Sequence, residues 1–406
     1  MCEERRINSM LRQKRQVVLI AFITAVSVLG DAMFIIVLPL YWQKFGLTAI
    51  WQIGVLLAVN RLIRLPINPV VGWFYRRYQR RTGFLFAVVL AIVATFSYGV
   101  LQGFWLLLLM RAIWGVAWSF LRLGGFLTVL ETSDDTNRGH YVGLYNGLWG
   151  IGGLVGMLGG GFLVDQTSIL FVTTTFAIIG LFAIPAVFLS IPLTVDDQTE
   201  EKKSETKSPW LTHQVIAVLL TGLTMGFTIF GVFAATLGQL IERLYVNEWS
   251  TAQITIGAAT LAGIIQAIRW GWDPFLAPTM GKRLDQSNKK HVFASFALFT
   301  GAVLFIFLGT TSSLLFLLLG LIAFQLISTL FVTVIDTLAT SVAATTDRIK
   351  MMTAHTIVVD VGAALGPLLA FVVIQWGSIA AVYLIAGGWL LVLGLYWVLL
   401  FQLRRA

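Results

Sequence analysis

Long apolar runs, broken by short polar stretches, recur along the whole chain. A hydrocarbon core about 30 Å thick takes about 20 apolar residues per helix. Twelve runs reach that length. They lie near 16–40, 50–75, 83–102, 104–131, 140–164 and 169–193, then 213–240, 251–281, 291–309, 312–340, 350–375 and 378–401. Backbone groups within lipid must bond internally, so each run predicts a helix and the chain is expected to be an all-α integral membrane protein. The first run is read as a span and not as a cleaved leader. From Val17 it is too long, and no small-x-small site follows it. The longest polar segment, Thr194–Lys207, is rich in Asp, Glu, Lys and Ser. It predicts a solvated linker over 194–211. Six-helix bundles are then expected over 1–193 and 212–406.

Composition sharpens this reading. Of 406 residues 58% are hydrophobic and only 12% charged, against about 25% charged in an ordinary soluble domain. A soluble fold cannot hide that much apolar surface. A soluble enzyme, a nucleic-acid-binding module and a disordered chain are excluded. The net charge of +9 needs no nucleic acid once the cations are placed. If the N-terminus is cytoplasmic, 21 of the 28 Lys and Arg fall in cytoplasmic segments, and only Lys44 and Arg243 lie outside. That asymmetry predicts that both termini and the linker are cytoplasmic. The lone Cys2 excludes a disulfide framework or a Cys-based metal site. His140, His213 and His291 have no metal-ligand spacing, and no metal or cofactor is expected. No Walker loop is present, which argues against ATP-driven pumping within this chain.

Two signatures recur at half the chain length. Pro69-Val-Val-Gly72 leads to Arg80-Arg81, and Pro278-Thr-Met-Gly281 leads to Lys289-Lys290, each pair 209 residues apart. Arg138 precedes Gly152-x-x-x-Gly156-Met157, and Arg348 precedes Gly362-x-x-x-Gly366-Pro367, 210 apart. A duplicated six-helix unit predicts a solute path between halves, opened alternately to each side.

With these features the chain resembles the major facilitator superfamily over essentially its whole length. The family's loop after the second span carries Gly, an Asp four residues on, a second Gly and a basic pair. Gly281-Lys-Arg-Leu-Asp285-Gln-Ser-Asn288-Lys289-Lys290 is similar, with Asn288 for the second Gly. In Gly72-Trp-Phe-Tyr-Arg76-Arg-Tyr-Gln79-Arg80-Arg81, Arg76 stands for the Asp and Gln79 for the Gly. The resemblance implies that these loops help lock the halves in the outward-facing state. Leu107-x-x-x-Arg111-x-x-Trp114-Gly115 resembles the family's membrane-embedded Arg motif, with Trp114 for the usual Gln. Gly152-x-x-x-Gly156-Met157 resembles the motif of its antiporters, with Met157 for the usual Pro.

Ionisable residues at bilayer depth are costly and mark function or pairing. At 1.5 Å per residue, Asp31 lies roughly 13 Å and Arg111 roughly 11 Å below the outer membrane surface, with Arg61 and Arg64 at roughly 16 and 21 Å. The four predict an Arg-rich slab in the first half. There they either bind an anionic or zwitterionic solute, with Asp31 as proton carrier, or form static ion pairs. Arg suits the first role because its guanidinium stays charged and grips carboxylate or phosphate. Asp360, roughly 15 Å into the eleventh span, is the second-half counterpart. Arg269 and Asp273, four apart, are expected to pair. Asp336 is expected in a cytoplasmic gate or loop contact. Gly152, Gly156 and Gly160, with Gly362, Gly366 and Pro367, are expected to serve close helix packing and bending.

Proton-driven export of a small organic solute is the leading reading. The rivals are proton-coupled uptake of an organic anion, an intramembrane enzyme and a receptor of the same fold. His355 and Asp360 sit about 140° apart on a helix, poor geometry for one catalytic site, so a transporter and not an enzyme is expected. The expected setting is a bacterial plasma membrane, with the chain working as a monomer among lipid, solute and protons.

The topology has a direct test. With Cys2 replaced by Ser, a Ser204→Cys variant should react with an impermeant maleimide only after cells are opened. Labelling of intact cells would overturn the orientation.

Overall fold

The computed structural model describes residues 2–132, 138–191, 212–245, 249–251, 254–287, 290–343, 346 and 348–402. The expected linker 194–211, Lys289 and the side chain of Asp285 lie outside what is described. The spans are helices, in order Cys2–Tyr41, Trp51–Leu62 with Arg64–Arg77, Arg80–Val100, Phe104–Thr132, Arg138–Gln166, and Ile169–Leu181 with Ala183–Ser190. The second six are His213–Glu242, Ala258–Asp285, Lys290–Thr310, Leu314–Ala343, Arg348–Trp376 and Ile379–Gln402. Among the described residues, eleven helices are long and apolar enough to cross a membrane.

The eighth span is the departure. Its apolar run begins at 251, but its helix begins at Ala258. Trp249–Thr251 and Ile254–Ile256 instead pair as an antiparallel hairpin, with Trp249 opposite Ile256. Thr251, Ile254, Thr255 and Ile256 are β-branched, and stiff χ1 angles favour extended chain. The 28-residue helix that follows also carries Arg269, Asp273, Lys282, Arg283 and Asp285, which dilute its apolar character.

Proline accounts for two interruptions. The second span breaks at Ile63 and the sixth at Phe182. Pro66 and Pro185 lack the N–H that would bond the carbonyls of Leu62 and Leu181, four residues back. The seventh span is not broken but rewound: Gly226–Phe233 is a π-helix between the α-helical His213–Met225 and Ala234–Glu242. At the far end of this span Arg243 caps the ninth helix, donating to the carbonyls of Gly309 and Thr311 at 2.9 Å each. A cation at a helix C-terminus is favoured by the dipole.

The chain forms two compact units. One holds Met1–Leu47, Leu62–Glu200 and Trp249–Gly263; the other holds Thr48–Arg61, Glu201–Glu248 and Ile264–Ala406. Relative to a division near residue 200, two short segments change places. Within the first unit the fifth span packs on the first and the sixth on the third; within the second, the eleventh packs on the seventh and the twelfth on the ninth.

The shared pattern extends to single atoms. A Cβ on Gly152 or Gly156 would strike the carbonyls of Ala25 and Leu29. A Cβ on Gly362 or Gly366 would strike the carbonyls of Leu223 and Phe227. The same i, i+4 pair of glycines thus meets an i, i+4 pair of carbonyls in each unit. Gly160 continues the first series against Met33.

Backbone cannot yield as a side chain can. Gly152→Val should therefore cost about 1–3 kcal/mol, the range for overpacking, and lower the unfolding temperature in detergent. Gly147→Ala is the control, since nothing lies within 4 Å of its Cβ position; it should be neutral or slightly stabilising. Equal stability of Gly152→Val and wild type would remove the contact as a determinant.

Candidate functional site

The most deeply placed charges belong to the first unit. Asp31 on the first span and Arg111 on the fourth form an ion pair through Oδ1 and Nη1, and their side chains are 11% and 1% exposed. Nη1 also donates to the hydroxyl of Tyr98 on the third span at 3.4 Å. Aromatic rings enclose the guanidinium, with Phe34 5.0 Å and Tyr98 5.9 Å from it. Those two rings stack on each other at 4.2 Å. Three helices therefore meet on one cation. The rings exclude water and supply a negative face to the guanidinium, and the low dielectric strengthens the pair.

Arg64, also buried, opens the second segment of the second span. Its guanidinium lies 5.5 Å from the ring of Trp118. Trp118 in turn contacts Trp114 at 5.7 Å and Trp149 at 5.1 Å. The indole N–H of Trp149 donates to Asn146 at 3.1 Å.

Arg61 and Arg64 flank the break at Ile63 and have different surroundings. Arg61 belongs to the second unit, where it faces Asp360 of the eleventh span at 3.5 Å. This pair is half-buried, at 26% and 20% exposure. The expected slab is thus distributed: Asp31, Arg64 and Arg111 lie in one compact unit and Arg61 with Asp360 in the other.

The second unit carries a polar seam on the eighth and tenth spans. Arg269 and Asp273 pair at 3.4 Å, as their i, i+4 spacing predicts. Thr329 donates to Asp273, and Trp272 Nε1 donates to Thr329 at 3.1 Å. Phe230, from the π-segment, lies 5.3 Å from the Arg269 guanidinium. Gln325, fully buried, donates to Gln266 at 3.0 Å and to the Ile265 carbonyl at 3.3 Å. Asp336 pairs with His355 at 3.2 Å.

The loop motifs take different partners in the two units. Arg81 donates to the carbonyls of Ile191 and Phe188 at 2.9 and 3.1 Å and lies over the Phe188 ring, so it closes the end of the sixth span. Lys290 donates to Ser341 of the tenth span at 2.9 Å. Arg80 is half-buried. Gly72 has nothing within 4 Å of its Cβ position, and Gly281 only Thr333 at 3.8 Å, so neither glycine is required by close approach. The Pro367 carbonyl lies against Gly54.

Sequence reading missed Asp165. Its carboxylate accepts from Tyr41 at 2.7 Å and from the backbone N–H groups of Gly257 and Thr260 at 3.1 and 2.9 Å. It thereby caps the eighth helix from a position 92 residues away. Capping is read from residues adjacent to a helix start, so no local signal pointed to it. The His355–Asp336 pair was equally hidden, although 19 residues separate its members.

With this geometry in hand, the comparisons with known proteins are specific. The sequence profile of the Major Facilitator Superfamily matches residues 20–272 and 274–406, so the chain belongs to that superfamily. It is a multi-pass membrane transporter and not an enzyme. Quinolone resistance protein NorA of Staphylococcus aureus is 26% identical over 262 residues, 63% of this chain and 65% of that protein. Tetracycline resistance protein, class H, of Pasteurella multocida is 26% identical over 159 residues, 38% of this chain and 39% of that one. The chain thus matches less than two thirds of either relative's length. A bacterial homolog of the human lysosomal transporter Spinster, solved inward-facing and occupied, aligns with TM-score 0.76 and 12% identity over 95% of this chain and 96% of its own. A POT family transporter in complex with 5-aminolevulinic acid gives TM-score 0.75 and 12% identity over 97% and 96%. At such identities the likeness is one of fold.

The two Arg–Asp pairs should differ in worth. Arg111→Gln strands a buried carboxylate and should cost about 3–5 kcal/mol. Arg61→Gln opens a half-solvated pair and should cost about 1 kcal/mol or less. Unfolding of both variants in detergent checks the order, and equal losses would contradict it.

Proposed function

We propose that this member of the Major Facilitator Superfamily exports a small organic solute in exchange for protons, by alternating access, across a bacterial plasma membrane. The observation that carries this reading is the Asp31–Arg111 pair, buried and ringed by Phe34 and Tyr98. A proton arriving on Asp31 removes its negative charge and with it the ion pair to Arg111. Three helices meet at the pair, so that change reaches the first, third and fourth spans together. Coupling requires only that the two access states bind the proton with different affinity. The names of the NorA and tetracycline resistance proteins support efflux of a small organic molecule. Their 26% identity leaves this chain's own substrate to experiment.

An excess of embedded Arg favours uptake of an organic anion. Within the Arg61, Arg64 and Arg111 set behind that reading, Arg61 and Arg111 each face a carboxylate, which supports export over anion uptake. Asp31 is the proposed proton carrier and Asp360 the reserve. The chain works as a monomer, with its termini and the linker 194–211 in the cytoplasm.

Proteoliposomes with an imposed pH gradient and a panel that includes a quinolone and a tetracycline test the reading. Wild type should move at least one member against its gradient and dissipate the pH difference in doing so. Asp31→Asn should abolish gradient-driven movement while equilibrium binding of that solute in detergent survives. Undiminished pH-driven flux in Asp31→Asn would remove Asp31 as the carrier. Uptake of solute with protons, in the same direction, would reverse the mode to symport.

A further inference from the structure

The second unit contains a cavity of about 420 Å³ where the eighth, ninth and tenth spans meet. Its apolar lining comes from Met280 and Leu284 on the eighth span, Val292, Phe293 and Phe296 on the ninth, and Leu330 on the tenth. Among the described lining residues Arg283 is the one that is charged, and it is exposed. Val292 and Phe296 are 52% and 53% exposed, so the wall they form faces outward from the unit.

The internal repeat shows what this space is when it is filled. The 209-residue offset carries Met280 onto Val71, Leu284 onto Tyr75, Val292 onto Gly83, Phe293 onto Phe84, Phe296 onto Ala87 and Leu330 onto Leu121. In the first unit Val71, Tyr75, Phe84, Ala87 and Leu121 are one closed hydrophobic cluster. Tyr75 is its plug. A Cβ on Gly83 or Gly124 would strike the Tyr75 ring, and the Tyr75 hydroxyl donates to the Phe120 carbonyl at 2.9 Å. Arg283 falls on Phe74, which packs edge-on against Phe120 at 5.1 Å. The second unit has lost the plug. Leu284 is shorter than Tyr75, and Val292 has the Cβ that Gly83 lacks. Phe296 is exposed where Ala87 is buried. The crevice is therefore open, and its aromatic rim residue is replaced by a cation.

We propose that this cavity binds an anionic phospholipid, with one acyl chain along Phe293, Phe296 and Leu330 and the phosphate on Arg283. An apolar hollow in the outer wall of a transmembrane unit is in contact with acyl chains. Arg283 lies in the last turn of the eighth helix beside Lys282, at the depth where long cationic side chains reach the headgroups. Each Lys or Arg at that level favours anionic lipid about fivefold. The guanidinium also matches phosphate geometry in a way an ammonium does not. A free phosphate would use the cation and leave the apolar wall idle.

The test uses the full chain in detergent, with lipid occupancy read by native mass spectrometry during titration. Phosphatidylglycerol, phosphatidylcholine and glycerol phosphate alone are the three probes. Wild type should retain one phosphatidylglycerol at least about fivefold more tightly than phosphatidylcholine, and glycerol phosphate should not compete. Arg283→Gln should erase that preference. The double variant Leu284→Tyr with Val292→Gly transplants the first unit's plug and should lose the retained lipid altogether. Thermal unfolding of each variant checks that it is folded; if the double variant is not, Arg283→Gln alone decides. Unchanged phosphatidylglycerol retention in Arg283→Gln, retention by a folded double variant, or full competition by glycerol phosphate would each overturn the proposal.

Discussion

Within lipid no water is released when two helices meet, so association rests on how closely their backbones can approach. That constraint is met here by glycine against carbonyl. Gly152 and Gly156 give the fifth span its contact with the first, and Gly362 and Gly366 give the eleventh its contact with the seventh. The first span is thereby held in place, and with it Asp31. Arg111 reaches Asp31 from the fourth span and Tyr98 from the third. The polar site is thus suspended on a packing contact made by glycine against backbone carbonyl.

Charges in the two units differ in how they are enclosed. Asp31 and Arg111 are closed in by rings, Arg269 and Asp273 are tied to Thr329 and Trp272, and Arg61 with Asp360 is half-open. The most enclosed pair is the one whose rupture is expected to cost most. It is therefore also the one whose state is most tightly bound to the conformation around it. The half-open pair can exchange its partner for water at little cost. Burial, and not the presence of a carboxylate, separates candidates that look alike in sequence.

Much of the architecture was legible because it is written in local runs. Apolar length marked the spans, and the offset of about 209 residues marked the repeat. Packing then reproduced that repeat carbonyl by carbonyl. The Arg269–Asp273 pair followed from spacing on one helix. Contacts between distant segments were not legible. Asp165 caps a helix 92 residues downstream, and Arg61 and Arg64, three residues apart, lie in different compact units. The hairpin before Ala258 was hidden because Ile and Thr are read within an apolar run as part of a span and yet favour a strand. Arg81, read as part of a gating loop, is shown holding the carbonyls of Phe188 and Ile191.

The π-helical turns at Gly226–Phe233 have a consequence for how the seventh span is numbered against any relative. A π-turn closes from i to i+5, one residue more than an α-turn. The stretch therefore stores about one residue beyond what an α-helix with the same ends would need. Each stored residue is worth about 100° of rotation. A helical wheel drawn from Thr221 and Thr224, which hold Trp397 and Trp389, will misplace Thr236 and its bond to Tyr383 by that angle. A position-by-position scan of the span will have two phases of the same period, slipped across the bulge. Alignment with a relative wound as α throughout will need a single-residue gap, and its proper place is within these eight residues.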